Sequence, residues 1–181
     1  MAYRNGTYIA FDGQGTTSPD ESDIKYFNLL KAWKKSGQDF KFSDSHKKTY
    51  QVRDSSYRET LKRRLRERLN ESKNFVLILS EDTRADREML NYEIEVAIEL
   101  KLPIVACYVN YEKIQAPTEL ASYWPSSLSK AIKNRTAKCI HIPFKKAPIF
   151  DAISQFTIHS DNTLSSLSYY SSDAYKKFGI I

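Results

Sequence analysis

The sequence predicts an α/β fold, a five-stranded parallel sheet with helices on both faces, followed by a C-terminal extension. Three observations point there. Short apolar runs alternate with longer amphipathic stretches over residues 7–158, the order expected of strands joined by crossover helices. The runs NFVLILS (74–80) and LPIVACYVN (102–110) are continuously apolar, as strands covered on both faces must be. Past His159 the chain turns Ser- and Tyr-rich with no clear period.

In chain order, TYIAF (7–11) is the first strand, ended by the turn-like DGQG. IKYFNLLKAWKKSG (24–37) places Ile24, Phe27, Leu30 and Trp33 at i+3 steps, with Gly37 at a C-cap position. DFKFSD (39–44) is a weak second strand, and YRETLKRRLRERLNES (57–72) a helix with Leu61, Leu65 and Leu69 every fourth residue. Strand three is 74–80 and a helix follows over 89–100; strand four is 102–110. LASYWPSSLSKAIKN is a looser helical segment interrupted or started by Pro125. KCIHIPF (138–144) is strand five and PIFDAISQFTI (148–158) the last helix. This divides the chain into a main domain over 1–145 and a C-terminal helix and Ser/Tyr-rich tail over 146–181, packed on it or extending from it.

The bulk numbers fit one domain. Of 181 residues, 41% are apolar and 28% charged, with 5 Gly and 6 Pro. A chain of this length buries roughly two-thirds of its unfolded surface and folds without disulfide or metal. The 28 basic and 22 acidic residues give 28 − 22 = +6, a balance suited to an anionic ligand. Cys107 and Cys139 each lie within an apolar run and read as buried thiols of a reducing compartment. The N-terminal MAYRNGTYIAFDG has no long apolar core of a signal peptide, and no stretch approaches the roughly 20 apolar residues of a membrane span. The expected location is the cytoplasm.

Ligands of open α/β sheets sit at the carboxyl ends of the strands, near the switch in strand order. Three polar segments leave those ends: Phe11-Asp12-Gly13-Gln14-Gly15, Ser43-Asp44-Ser45-His46-Lys47-Lys48, and Ser80-Glu81-Asp82-Thr83. DGQG is no dinucleotide fingerprint, because no third glycine opens a helix. His46, His141 and His159 form no HxxxH or HxH pair, so no metal is expected. A GxSxG elbow and a Walker loop are also absent from the sequence. KRRLRER (62–68) keeps leucines at helical spacing, with Glu59, Glu67 and Glu71 beside its basic residues, so it reads as a solvated helix face and argues against nucleic acid.

Glu93 raises the sharpest question. On a wheel of about 100° per residue, Leu90, Ile94, Ala97 and Ile98 form one apolar stripe, with Glu95 and Glu99 roughly opposite. Glu93 projects about 85° from the centre of that stripe, at the seam between core and water. By itself it reads as a boundary carboxylate paired with a nearby Lys or Arg.

The series YIAFD, SDSHKKT, FVLILS, LNYEIEVAIEL and LPIVACYVN resembles a TIR domain. More narrowly, over roughly residues 7–145, it resembles the bacterial TIR-like family that includes the TIR subunit of the Thoeris antiphage defence system. The family carries a glutamate behind an aromatic residue on the helix after strand three, the place of Glu93 behind Tyr92. This chain differs in having Leu90-Asn91 where relatives often carry a tryptophan, and in its long first loop, GQGTTSPDESD.

The resemblance implies a flavodoxin-like TIR fold and cleavage of NAD+ between nicotinamide and ribose, with or without cyclisation or ADP-ribosyl transfer to make a signal. It makes Glu93 the catalytic carboxylate. Phe11 and Asp12 would border ribose and nicotinamide, Ser43, Asp44 and His46 would belong to a covering loop, and Ser80 and Thr83 would line the floor. NAD+ is then the substrate, with no cofactor. The resemblance further implies self-association on activation, a trigger such as phage infection, and a separate effector that senses the product. The chemistry is coherent, since nicotinamide leaves as a neutral molecule and one carboxylate suffices to steady the ribosyl cation left behind. Two other readings remain open at this level: a non-catalytic TIR scaffold acting through partners, and a nucleoside deoxyribosyltransferase-like enzyme using the same glutamate as a nucleophile. A receiver-like phosphoacceptor is weaker, because Asp12 has no neighbouring acid.

Overall fold

The computed structural model describes residues 3–15, 18, 20–36, 42–44, 55–161 and 163–181, with backbone alone at 42–44, 55 and 56. The strands are β1 (Gly6–Ala10), β2 (Phe42–Asp44), β3 (Ser72–Leu79), β4 (Ile104–Tyr108), β5 (Cys139–Pro143) and β6 (Ser168–Tyr169). They form one sheet in the order β2-β1-β3-β4-β5-β6, parallel at every pairing. The order reverses between β1 and β3, so the switch point lies above their carboxyl ends.

The five expected strands are present, within two or three residues of their expected bounds. β6 is an addition from the tail. It escapes the hydrophobic pattern because its hold on the sheet edge is polar. The Cys139 amide donates to the Ser165 carbonyl at 2.9 Å, and the Ser166 hydroxyl donates to the Ala137 carbonyl at 2.7 Å.

Alternate strand residues feed two cores, as the period of two requires. Tyr8, Phe75, Leu77, Leu79, Ile104 and Ala106 face one side, covered by α2 (Ser55–Asn70), α3 (Glu88–Glu99) and α4 (Ser126–Lys133). Ile9, Phe11, Val76, Ile78, Val105 and Ile140 face the other, covered by α1 (Ile24–Lys35), α5 (Lys146–Gln155) and α6 (Ser172–Lys177). The loose segment around Pro125 resolves into a 3-10 helix, Pro117–Tyr123, and then α4, with Pro125 as the N-cap of α4. α1 stops at Lys35 with Ser36 as C-cap; the expected cap, Gly37, lies outside the described residues. No helix among the described residues is long and apolar enough to cross a membrane.

α3 is wedged between two helices, which decides where Glu93 points. On the α2 side, the Tyr92 hydroxyl donates to the Lys62 carbonyl at 3.2 Å, while Arg58 and Lys62 pair with Glu88 at 2.8 and 3.4 Å. On the α4 side, Asn91 Oδ1 accepts from the Ser127 amide at 2.8 Å and Glu95 from the Ser127 hydroxyl at 2.8 Å. With both flanks covered, Leu90, Glu93, Ile94, Val96 and Ala97 are the buried residues of α3. They span an arc of about 160°, with Glu93 only about 20° from its centre. The expected position at the seam between core and water is therefore corrected, for Glu93 is 4% exposed.

Candidate functional site: a buried glutamate beneath a stitched rim

Glu93 enters the core from the second turn of α3, on the side of the sheet occupied by Tyr8 of β1. Tyr8 is fully buried and its ring stacks on Phe75 at 5.5 Å, which fixes the direction of its hydroxyl. Burial pushes the Glu93 carboxyl up to about 8, against the opposing influence of the Tyr8 hydroxyl and of the Arg68 and Arg87 charges. At neutral pH the side chain is mostly the uncharged acid. Its Oε2 has no hydrogen-bond partner among the described residues. A buried carboxyl oxygen left without a partner costs free energy, and such sites are enriched where chemistry is done.

Above it, the loops after β1 and β3 are stitched together. Asp12, the first residue but one beyond β1, has a side chain with no solvent exposure. Its Oδ1 accepts from the Gln14 amide at 2.9 Å and Arg84 Nη2 at 2.8 Å; Oδ2 accepts from the Arg84 amide at 3.1 Å and Nε at 2.8 Å. Burial alone would raise the Asp12 carboxyl, but these bonds, led by the Arg84 side chain, outweigh it and hold the group below the usual carboxylate range. Arg87, the N-cap residue of α3, stands with Nε 4.0 Å from Asp12 Oδ1. Gln14 Nε2 adds a 2.8 Å bond to the Asp82 carbonyl. The turn that makes this reach possible runs through Gln14 at φ 49° and Gly15 at φ 76°, left-handed conformations that glycine takes without strain.

A second acid, Asp23, is missing from the sequence reading. It is buried at the N-cap of α1, yet its side chain makes no cap bond there. Instead Oδ1 accepts from the Ser80 hydroxyl at 2.6 Å and Oδ2 from the Thr83 hydroxyl at 3.1 Å. Burial raises its carboxyl to about 6, moderated by those two donors. An Asp before an apolar helical run signals an N-cap in sequence, and no pattern announces that its partners lie nearly 60 residues away.

The structure brings Asp12, Ser80 and Thr83 to one rim, as the strand order requires. It also shows them engaged with Arg84 and Asp23. Phe11 does not join Glu93: it is buried against Phe27 at 5.2 Å, in the core on the α1 side. Ser43 and Asp44 sit on β2 opposite Tyr8 and Ile9 of β1. His46 lies outside the described residues. Arg84 and Arg87 were not singled out in the sequence, where they follow Thr83 in a polar run with no spacing signal; Arg68 closes the run KRRLRER, read there only as a solvated helix face. Among the described residues no group of three His, Cys, Asp or Glu side chains converges as metal ligands.

A solved structure, a conserved protein from Enterococcus faecalis V583, is 14% identical to this chain, covers 97% of each chain and has a TM-score of 0.41. The family model described as the Thoeris protein ThsB, TIR-like domain, matches residues 8–114, a stretch that runs from Tyr8 through the stitched rim and Glu93 to Ile114. With more than half of its length matched, this chain belongs to the TIR-like domain family of the Thoeris protein ThsB, and its role lies in antiphage defence.

Proposed function

We propose that the protein cleaves NAD+ between nicotinamide and ribose, with Glu93 as the catalytic carboxylate, and so makes an ADP-ribose-derived signal. The observation that carries this reading is the buried Glu93 side chain with an unpartnered Oε2 beside the switch point of the sheet. The nicotinamide ring of NAD+ is a pyridinium cation. Brought against Glu93, it favours the carboxylate over the acid, so substrate binding itself lowers the carboxyl's proton affinity and expels a proton. As the C–N bond lengthens, positive charge moves to the ribosyl carbon while nicotinamide departs neutral. An ionised carboxylate in a water-poor setting stabilises that developing charge strongly. Water, or a hydroxyl of the same or another nucleotide, then completes the transfer.

Because Glu93 is enclosed, the resting protein is expected to be slow. Substrate reaches it when the loops joined by Asp12–Arg84 and Gln14–Asp82 part. Self-association on activation fits that requirement, since a neighbouring copy can hold the loops in the open arrangement. Under this reading phage infection supplies the trigger and a separate effector protein senses the product. The setting is cytoplasmic, in keeping with the two buried free thiols Cys107 and Cys139.

The test is incubation of concentrated protein with NAD+, followed by chromatography and mass spectrometry, with Glu93→Gln alongside. Nicotinamide released by the wild type and not by the variant supports the reading. Equal release by both overturns the role of Glu93. If neither releases nicotinamide, in lysate from infected cells included, the protein is a scaffold.

A further inference from the structure

A carboxylate that must ionise inside a core requires a cation, and the packing around Glu93 offers few. Among the described residues, the groups that favour its charged form are Tyr8 of β1, Arg68 at the end of α2 and Arg87 at the N-cap of α3. Lys62 of α2 is committed elsewhere, paired with Glu88 and standing over the Tyr92 ring at 5.2 Å. Arg84 is spent on Asp12 through its backbone amide, Nε and Nη2.

Arg87 is placed differently. Each oxygen of Asp12 already accepts two hydrogen bonds, which fills the roughly four acceptor positions of a carboxylate. The 4.0 Å separation of Arg87 Nε from Oδ1 exceeds a hydrogen bond, so Asp12 attracts this guanidinium without binding it. The Arg87 side chain is 43% exposed and able to move. Glu93 lies six residues on, roughly 9 Å along the helix axis, within the compass of an arginine side chain, and its Oε2 lacks a partner among the described residues.

We propose that Arg87 is the positioning residue of the site: its guanidinium leaves the rim of Asp12, meets Oε2 of Glu93, and holds that side chain as an oriented carboxylate. This rests on Glu93 as the working carboxylate of the proposed reaction, yet its readout needs no reaction. Arg84 then serves to satisfy Asp12 so that Arg87 is released. The rim becomes a device that keeps Glu93 neutral at rest and charges it when the loops part.

The experiment is a carbon-13 NMR titration of the Glu93 carboxyl in the full-length protein, assigned by the signal lost in Glu93→Gln. Arg87→Gln is expected to raise the titration midpoint by roughly one pH unit, as loss of an opposite charge at close range should. Arg87→Lys is expected to restore part of that shift, whereas a purely structural contact would show no such rescue by charge. Arg68→Gln serves as the comparison and should move the midpoint less. An unchanged midpoint in Arg87→Gln, or a larger shift in Arg68→Gln, overturns the proposal. If the midpoint moves as expected while no variant and no wild type cleaves NAD+, the counter-ion assignment stands and the functional reading fails.

Discussion

Glu93 shows what a helical wheel can and cannot read. The wheel assigns one apolar stripe to α3 from its own residues, and centres it between Leu90, Ile94 and Ala97. The helix buries a wider arc because α2 and α4 cover both flanks, and Val96 and Glu93 come inside with it. Nothing local to residues 89–100 carries that information. The linkage consequence has a definite sign. Glu93 has an ordinary carboxyl near 4.5 when unfolded and one near 8 when folded. The folded state therefore binds the extra proton between those values, and stability declines as pH rises from about 4.5 through 8. Glu93→Gln removes the titration. Relative to wild type, the variant should gain roughly 4–5 kcal/mol at pH 8.5, and the gain should vanish towards pH 4.5. Denaturant unfolding at the two pH values checks this; a pH-independent difference would contradict it.

At the scale of elements, the strands were readable because each central one announces itself by a continuous apolar run, whereas their order in the sheet was not. The rim was readable only in outline. The sequence shows three polar segments at strand ends, but not that Arg84 would close on Asp12 or that Ser80 and Thr83 would be bound to Asp23. Those pairings are set by the approach of two loops, one after β1 and one after β3, whose side chains have no periodic signature. Asp12→Asn keeps the size and loses the charge and one double acceptor. The pair is half in water on the arginine side, Arg84 being 44% exposed, which tempers the loss. We expect destabilisation of about 2 kcal/mol and faster hydrogen exchange at the Gln14 and Arg84 amides, both of which donate to Asp12. Exchange unaltered at those two amides would mean that the stitch does not hold the loops.

Across the whole molecule the tail is bound in by polar contacts that composition conceals. The Tyr175 hydroxyl lies 3.1 Å from both the amide and the carbonyl of Ile114. Tyr108 accepts from Trp124 Nε1 at 2.8 Å and sits 2.7 Å from His141 Nδ1, whose Nε2 lies 3.0 Å from the Ser166 carbonyl. A tyrosine that donates to Nδ1 leaves the proton on Nε2, directed at that carbonyl. Burial lowers the His141 ring to about 4, partly opposed by the Ser166 carbonyl. Its folded value lies below the unfolded 6.5, so its contribution is present above pH 6.5 and is lost as pH falls through about 4. Glu93 works in the opposite direction. Asp23, raised from 3.8 to about 6, works in the same direction as Glu93, and together the three groups predict a melting temperature that is highest near about pH 4.5 and declines above it. Calorimetry from pH 3 to 9 would read it, and a maximum above pH 8 would speak against the Glu93 assignment. Tyr108→Phe, which leaves the Trp124 N–H and His141 Nδ1 unpartnered, should cost about 2 kcal/mol in the same experiment.

The most direct test of the central claim, that a buried and normally neutral Glu93 works as a carboxylate on NAD+, is kcat/KM for nicotinamide release as a function of pH, since that ratio reports the free enzyme. With the enzyme-free rate subtracted, the account predicts a rise of about tenfold per pH unit that levels near pH 8, with Glu93→Gln at background throughout. A flat profile, or a Gln variant as active as the wild type, would contradict it.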